Sequence, residues 1–437
     1  MVKLVRDSSL TEVADAIREK TGGTDLLSFP YGFVSAINSI LAKLYRKDVL
    51  NSDGHLIDVV LEGYKTIDDK MFYSVRTLAS ITMPDTVTSV GIKAFANCNN
   101  LALTSLPSGL TNIGNYAFEG CSSLALTSLP SGVTYIGSNA FSGCTNLALT
   151  SLPSGITSIG KSVFLGCTNL ALTSLPSGLT SIGINAFSGC TNLALTSLPS
   201  GITSIGNYAF NGCTNLALTE YPSSVINIGK GVFQGCTSLT WTSLPSEMGV
   251  VSGLTTINDN MFSGCTNLAL TSLPSRITSI GIEAFSGCTN LALTSLPSGV
   301  TSIGGNAFSG CTNLALTSLP SGLTSIGSST FANCTNLALT SLPSGLTSIG
   351  SGTFANCTNL ALTSLPSGIT SIGYEAFKGC TGLTSITFEG TPTSIDGRAF
   401  NGCTNLTSIK VPWAQGAVKG APWGATNATI TYNYRGA

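Results

Sequence analysis

The chain has 437 residues, 43% apolar and only 9% charged, with 19 basic and 20 acidic side chains that nearly cancel. Residues 1–72 hold 9 of the basic and 11 of the acidic ones, so the long middle is almost uncharged. That surface excludes nucleic-acid binding, which leans on Lys and Arg against phosphates, and no run approaches the ~20 apolar residues of a membrane span.

The start, MVKLVRDSSLTEVADAIREK, lacks the apolar core of a secretory signal, so work outside a bacterium implies another route there. SSLTEVADAIREKTGG predicts a helix with Ser9 and Glu12 at capping-box spacing, ended by Gly22 and Gly23. It carries Leu10, Val13, Ala14 and Ile17 on one face. A second helix from near Pro30 aligns Phe33, Ile37, Ile40, Leu41 and Leu44. Both apolar stripes need cover, from each other, from the first repeat or from a second copy of the chain. Residues 1–61 are therefore expected to be a helical attachment or oligomerisation segment. Its seam is Leu10, Val13, Ile17, Phe33, Ile37, Ile40 and Leu44, and the expected assembly is a homo-oligomer, with a trimer favoured. The single histidine, His55, sits in NSDGHLID and reads as part of a turn before a strand.

Beyond residue 61 the chain repeats itself. Fourteen cysteines from Cys98 to Cys403 recur at one constant interval, that from Cys190 to Cys213, except for a single longer step from Cys236 to Cys265. Each has a Phe at the same place ahead of it, as Phe210 stands before Cys213. With Phe72 keeping the period, about fifteen units are present. The unit is SLPSGITSIGNYAFNGCTNLALT, quoted from Ser197 to Thr219. A fixed period in the twenties is the mark of a solenoid, in which one turn buries its apolar side only against its neighbours. Within the unit the apolar places are Leu198, Ile202, Ile205, Ala209, Phe210, Cys213, Leu216 and Leu218. Local signals predict a short strand around LALTSL, a corner at Pro199, a second extended piece at ITSIG and a helical or 3₁₀ turn at NYAFNGC, with Gly206 and Gly212 at tight bends.

The stretch LASITMPDTVTSVGIKAFANC, Leu78 to Cys98, follows LxxIxIPxxVTSIGxxAFxxC and resembles the BspA-like class of leucine-rich repeats over about residues 62–411. The resemblance implies a non-catalytic solenoid that acts by binding; family members are mostly bacterial surface adhesins, with some in protozoa and bacteriophages. The inner units depart from the pattern. LTSITIP becomes LALTSLP, which shifts one Leu by a place and gives the row Leu103, Leu126, Leu149, Leu172, Leu195, Leu218, Leu270, Leu293, Leu316, Leu339 and Leu362, with Trp241 in line. A one-place shift along a strand can reverse the face. The row either stays inside on a local bulge or turns out as an apolar stripe for a partner.

The most irregular unit, Glu220 to Phe262, holds Tyr221, Trp241 and an insertion around Met248 to Ser252. Either it is a tolerated surface insertion, or Leu195, Leu218, Tyr221, Trp241, Met248 and Val250 form a contact site for a partner. No two Cys are closer than one full repeat, so no metal site is expected and the thiols read as buried, free and apolar. Ser and Thr have no base in register, and acids such as Glu119 and Glu283 are scattered. No enzymatic activity and no cofactor are expected. Rows such as Thr203, Thr214 and Thr219 would form ladders that solvate the outside; ice binding by such rows is the lesser reading.

The ending VPWAQGAVKGAPWGATNATITYNY, Val411 to Tyr434, offers Trp413 and Trp423 to cover the last repeat and TITYNY as a final strand. Residues 412–437 are thus an expected β-type cap.

Both ends carry a second resemblance. Leu10, Ala14, Ala16 to Arg18, Lys20 to Gly22, Phe29, Pro30, Gly32, Phe33, Ala36, Ile37 and Ile40 follow LTxIADAIRxKTGxxxxxxFPxGFxxAIxxI. This is similar to a short N-terminal region on tail and other structural proteins of phages and prophages in Gram-positive bacteria, and the C-terminal stretch is similar to an ending in the same group. The resemblance implies a virion appendage (tail, baseplate or surface fibre) at the particle surface, released by lysis and binding a host surface polymer or protein. Its alternatives are a spacer or head decoration without a receptor, and a bacterial BspA-like surface adhesin.

Overall fold

The computed structural model describes residues 46–221, 223–245 and 255–435. The seam residues Leu10, Val13, Ile17, Phe33, Ile37, Ile40 and Leu44 lie outside these residues, as do Met248 and Val250. The chain winds as a succession of short extended pieces and turns, about sixteen coils in all: fifteen carry a Phe, Phe72 to Phe400, and one more closes the C-terminal end.

Each coil places its second extended piece in a parallel, in-register pair with the next. Ser204–Ile205 pairs with Ser181–Ile182 on one side and with Asn227–Ile228 on the other. Strict repetition forces this register, since any other offset would turn Ile205 and its equivalents out of the core. The glycine that follows is fixed by close approach: a Cβ on Gly206 would lie 2.5 Å from the Ile184 nitrogen.

Three expectations need correction. The strand predicted around LALTSL is absent from the inner coils as far as Ser364–Leu365, and the short ITSIG piece is the strand instead. The reason is spacing. In the inner coils Leu124 and Leu126 both point inward around Ala125, and the break in alternation falls between Leu126 and Leu129. At the C-terminal end the order is reversed: the break falls between Leu383 and Ile386, and the alternating pair Ile386 and Phe388 lies in the strand Ser385–Phe388. In the inner coils one or two bonds per coil, such as Ala148 N–H to the Leu126 carbonyl at 3.0 Å, replace a ladder.

The predicted helical or 3₁₀ turn is likewise not a helix, and no helix occurs among the described residues. Along 206–213 the amides alternate. Ala209, Asn211 and Cys213 bond back within their own coil, to Gly206, Tyr208 and Phe210, while Tyr208, Phe210 and Gly212 donate to Lys230, Val232 and Gln234 of the next coil at 2.7–3.0 Å. A helix would use all of these amides internally. Tyr208 (φ 57) and Gly212 (φ 71) stand in the left-handed region, which turns every second amide outward along the axis.

The helical expectation also fails for residues 46–61. β1 (Arg46–Leu50) and β2 (Leu56–Leu61) form an antiparallel hairpin. After β3 (Thr66–Ile67), β2 pairs in parallel with β4 (Ser80–Thr82). His55 lies exposed in the hairpin turn, where the Asn51 side chain accepts the His55 amide at 2.9 Å. At the other end Ser408–Lys410 pairs with Thr429–Thr431. Trp423 is fully buried, and Trp413 meets Phe388 edge-on at 5.2 Å.

The core is a set of columns along the axis. The fifteen Phe rings stack with centroids 5.0–5.9 Å apart and planes within 15° of parallel, and the Arg46 guanidinium lies over the first ring at 5.0 Å. Phe210 sits between Phe187 and Phe233 with no exposed surface. Phe210→Ala should therefore cost about 3–5 kcal/mol in a denaturant titration, whereas the exposed Ser200→Ala should stay within about 0.5 kcal/mol. Equal, small effects would show that the Phe column is not the core.

Candidate binding surface

Most of the residues that repeat without change are spent on the interior and on holding coil to coil. All fourteen cysteines are buried and free. Each Sγ donates to the carbonyl of a Phe in the preceding coil, at 2.9–3.1 Å: Cys213 to Phe187, Cys265 to Phe233, and so through the column from Cys98 to Cys403. Burial pushes every one of these thiols up, to about 12 at Cys98 and about 11 at Cys403 near the two ends, so they stay protonated and keep their donor. The Thr that follows every Cys from Cys144 on forms a second column. From Thr145 to Thr358, Thr266 after the lengthened repeat excepted, its hydroxyl donates to the preceding coil's carbonyl at 3.2–3.4 Å, which ties these protons to the backbone rather than offering them to solvent. Among the described residues, no three His, Cys, Asp or Glu are arranged to hold a metal ion.

The shifted leucine row is inside. Leu126, Leu149, Leu172 and Leu195 are fully buried, Leu218 and Leu362 nearly so, and only Leu103 is half-exposed. Tyr221 and Trp241 are buried as well. The Trp241 ring stands edge-on to Phe233 and Phe262 at 5.3 and 6.0 Å, and its indole N–H donates to the Leu218 carbonyl at 2.6 Å. It fills the core at the one place where the repeat is lengthened, between Cys236 and Cys265. Leu195, Leu218, Tyr221 and Trp241 are therefore core residues, and the folded protein does not present them as a contact surface: inward alternation from Leu216 through Leu218 buries the row.

What the surface offers instead is the pair of residues after each Ile-Gly. The first place holds Asp69, Asn115 or Asn207 in some coils, whose side-chain oxygens accept the corresponding amide of the next coil at 2.7–3.0 Å. In others it holds Ile92, Ile184, Ile282 or Tyr374, which are 43–53% exposed. The second place is left-handed throughout, with φ between 52° and 59° at every non-glycine from Lys93 to Glu375. Such a conformation costs a residue with a Cβ roughly 1–2 kcal/mol, yet Lys93, Tyr116, Tyr208, Glu283 and Glu375 all adopt it. Two grooves open on this flank. One of about 560 Å³ is lined by Ile184, Asn207, Ile226 and Asn258; the other, of about 640 Å³, is lined by Ser328, Ser351, Tyr374 and Asp396. The exposed Ile and Tyr were missed as sites in the sequence, where each looks like a scattered exception; their common phase within the repeat was the available signal.

Comparison with known proteins gives a consistent picture. The chain matches the family described as BspA type leucine rich repeat region (6 copies) over residues 65–194, 157–253, 255–382 and 329–415. Among solved structures it is similar to a leucine-rich repeat protein from Bacteroides ovatus, with 25% identity, 88% of this chain and 97% of that chain covered, and a TM-score of 0.58. It is also similar to a leucine rich cell surface protein from Faecalibacterium prausnitzii, with 26% identity, 85% and 94% covered, and a TM-score of 0.45. No curated protein matches the chain.

The thiol column generates a pH dependence. Folded thiols hold their protons to higher pH than unfolded ones, so the unfolded chain loses protons first and stability falls as pH rises. The contribution is whole below the unfolded value of about 8.5 and declines by about 1.4 kcal/mol per pH unit for each thiol above it, until the folded value, about 11 at Cys403, is passed. The denaturation midpoint should drop steeply above about pH 9. A thiol reagent should count fourteen groups after denaturation and far fewer before it; a flat alkaline profile or fast native labelling would contradict the column.

Proposed function

The chain belongs to the BspA type leucine-rich repeat family, and on that premise we propose that it works by binding, as an adhesin whose solenoid is the contact element. The observation that carries this reading is the division of labour within the repeat. Inward places, thiols and threonine hydroxyls are consumed in holding the coils together. What is left outward is a rigid, low-charge surface, presented in register for about sixteen coils. A partner that makes a weak contact with one coil makes it again with the next, and the contacts multiply without any one of them being strong.

The finer reading is that the protein is part of a phage particle, a tail, baseplate or surface-fibre component directed at the surface of a bacterial cell. Its support is the likeness of residues 10–40 and 411–434 to the two ends of phage and prophage structural proteins of Gram-positive bacteria. Within this reading, the residues before β1 attach the protein to the particle and join its copies, three being the favoured number. The solenoid then faces outward, capped at its C-terminal end by the packing of Trp413 and Trp423.

Purified full-length protein should bind intact Gram-positive cells at micromolar concentration, and removal of residues 62–411 should abolish this. Binding should change less than twofold between about 0.05 and about 0.5 M salt, because the contact face carries little net charge. Absence of binding to any strain would leave a spacer or decoration role. Gold-labelled antibody on purified phage particles separates a virion component from an adhesin displayed by the bacterium itself.

A further inference from the structure

Because the copies are so nearly identical, the places where they differ carry information, and those places are not spread over the exposed surface. Ser131, Ser154, Ser177 and Ser200 hold one exposed corner in four successive coils, and among the described residues their hydroxyls make no hydrogen bond. Nothing in the packing fixes them, yet the residue does not change. Drift at unconstrained positions would have altered this corner as readily as any other. Change is gathered instead in the pair after Ile-Gly and at the half-buried place directly after the Phe, which holds Glu119, Leu165, Asn211, Gln234 and Lys378 in different coils. Six of the eleven charged residues between Lys93 and Lys378 stand in the pair: Lys93, Lys161, Lys230, Asp259, Glu283 and Glu375. The exposed Ile92, Ile184, Ile282 and Tyr374 all occupy the pair's first place.

A second observation is independent of the sequence comparison. Gly231 and Gly352 show that glycine satisfies the left-handed second place. Tyr116, Tyr208 and Glu283 nonetheless keep large side chains there, in a conformation that L residues rarely adopt. Tyr116 meets the Lys93 ammonium at 5.1 Å and the Tyr208 ring lies over Gly231 of the next coil, but the left-handed backbone does not itself require side chains of that size.

The pairs run along the axis at the spacing of the stacked coils, 5.0–5.9 Å by the Phe rings, and so form one continuous ridge. A polymer of repeating sugars presents the same groups at a constant interval, and the unchanging Ser and Thr rows are what such a polymer would match. The ridge is aperiodic. It offers Asn115, Lys161, Ile184, Asn207 and Lys230 over six coils, a mixture of amide, cation and apolar side chain, and its Tyr is a residue type that anchors protein interfaces. We infer that this ridge is the recognition surface, and that the partner it fits is a polypeptide exposed on the target cell rather than a repeating glycan. The inference rests on the binding function proposed above.

The test uses the full-length protein and intact Gram-positive cells, with and without trypsin treatment of the cells and, separately, periodate oxidation of their glycans. The ridge variant is Ile184→Ser/Ile282→Ser/Tyr374→Ser; the control is Ser131→Ala/Ser154→Ala/Ser177→Ala/Ser200→Ala. All of these positions are exposed, and both proteins should melt with the wild type. Expected are an at least tenfold loss of binding for the ridge variant, none for the control, loss on trypsin treatment of the cells and retention after periodate. Wild-type-like binding by the ridge variant, or a loss confined to the corner variant, overturns the ridge. Binding by wild type that survives trypsin and disappears with periodate overturns the polypeptide partner, and this arm needs no variant. If the wild type binds no cells at all, the binding function itself fails and takes the inference with it.

Discussion

The structure depends on bonding each coil's backbone to the next at one fixed register. A single coil buries too little to stand alone, so every buried amide and carbonyl that its own turns leave open must be met by a neighbour. The Phe carbonyl shows how closely this is managed. Phe187 accepts the Cys190 amide of its own turn at 3.0 Å and the Cys213 thiol of the next coil at 3.1 Å. Cysteine suits the place because it packs as a small apolar group and still carries a donor.

That requirement divides the unit into fixed and free places. Phe, Cys, the inward Ile and the glycine at closest approach cannot vary without opening a column or pushing the coils apart. The pair after the glycine is bonded mainly through its backbone, Tyr208 N–H to the Lys230 carbonyl for example, so its side chains are left to do something else. The same division explains the low charge. Most outward places are held by short hydroxyls, those of the Thr column serving the backbone of the coil before, which leaves few positions for Lys or Glu.

Interruptions are repaired with aromatic volume. Where the repeat lengthens, Trp241 stands across two Phe rings and bonds the preceding coil. At the C-terminal end Trp413 and Trp423 gather around Phe388, which replaces the Leu of the inner coils. At the other end β1 runs antiparallel and Arg46 covers the first Phe ring. In each case the adjoining coil departs from the repeat, and a larger or charged side chain fills the contact.

The sequence by itself determined the period, the solenoid and the inward set of Phe, Cys, Ile and Leu, because spacing and apolarity are written along the chain and need no neighbour to be read. Only the tertiary structure decided that LALTSL is not a strand, that NYAFNGC is a run of turns, that the row of Leu195 and Leu218 faces inward and that Trp241 is core. It alone gave the thiols their partners and aligned the scattered Ile and Tyr into one ridge. Local preference allows a helix at NYAFNGC and either face for Leu218; the choice falls to the coil above and the coil below, whose carbonyls and side chains stand a full repeat away along the chain and enter no local signal.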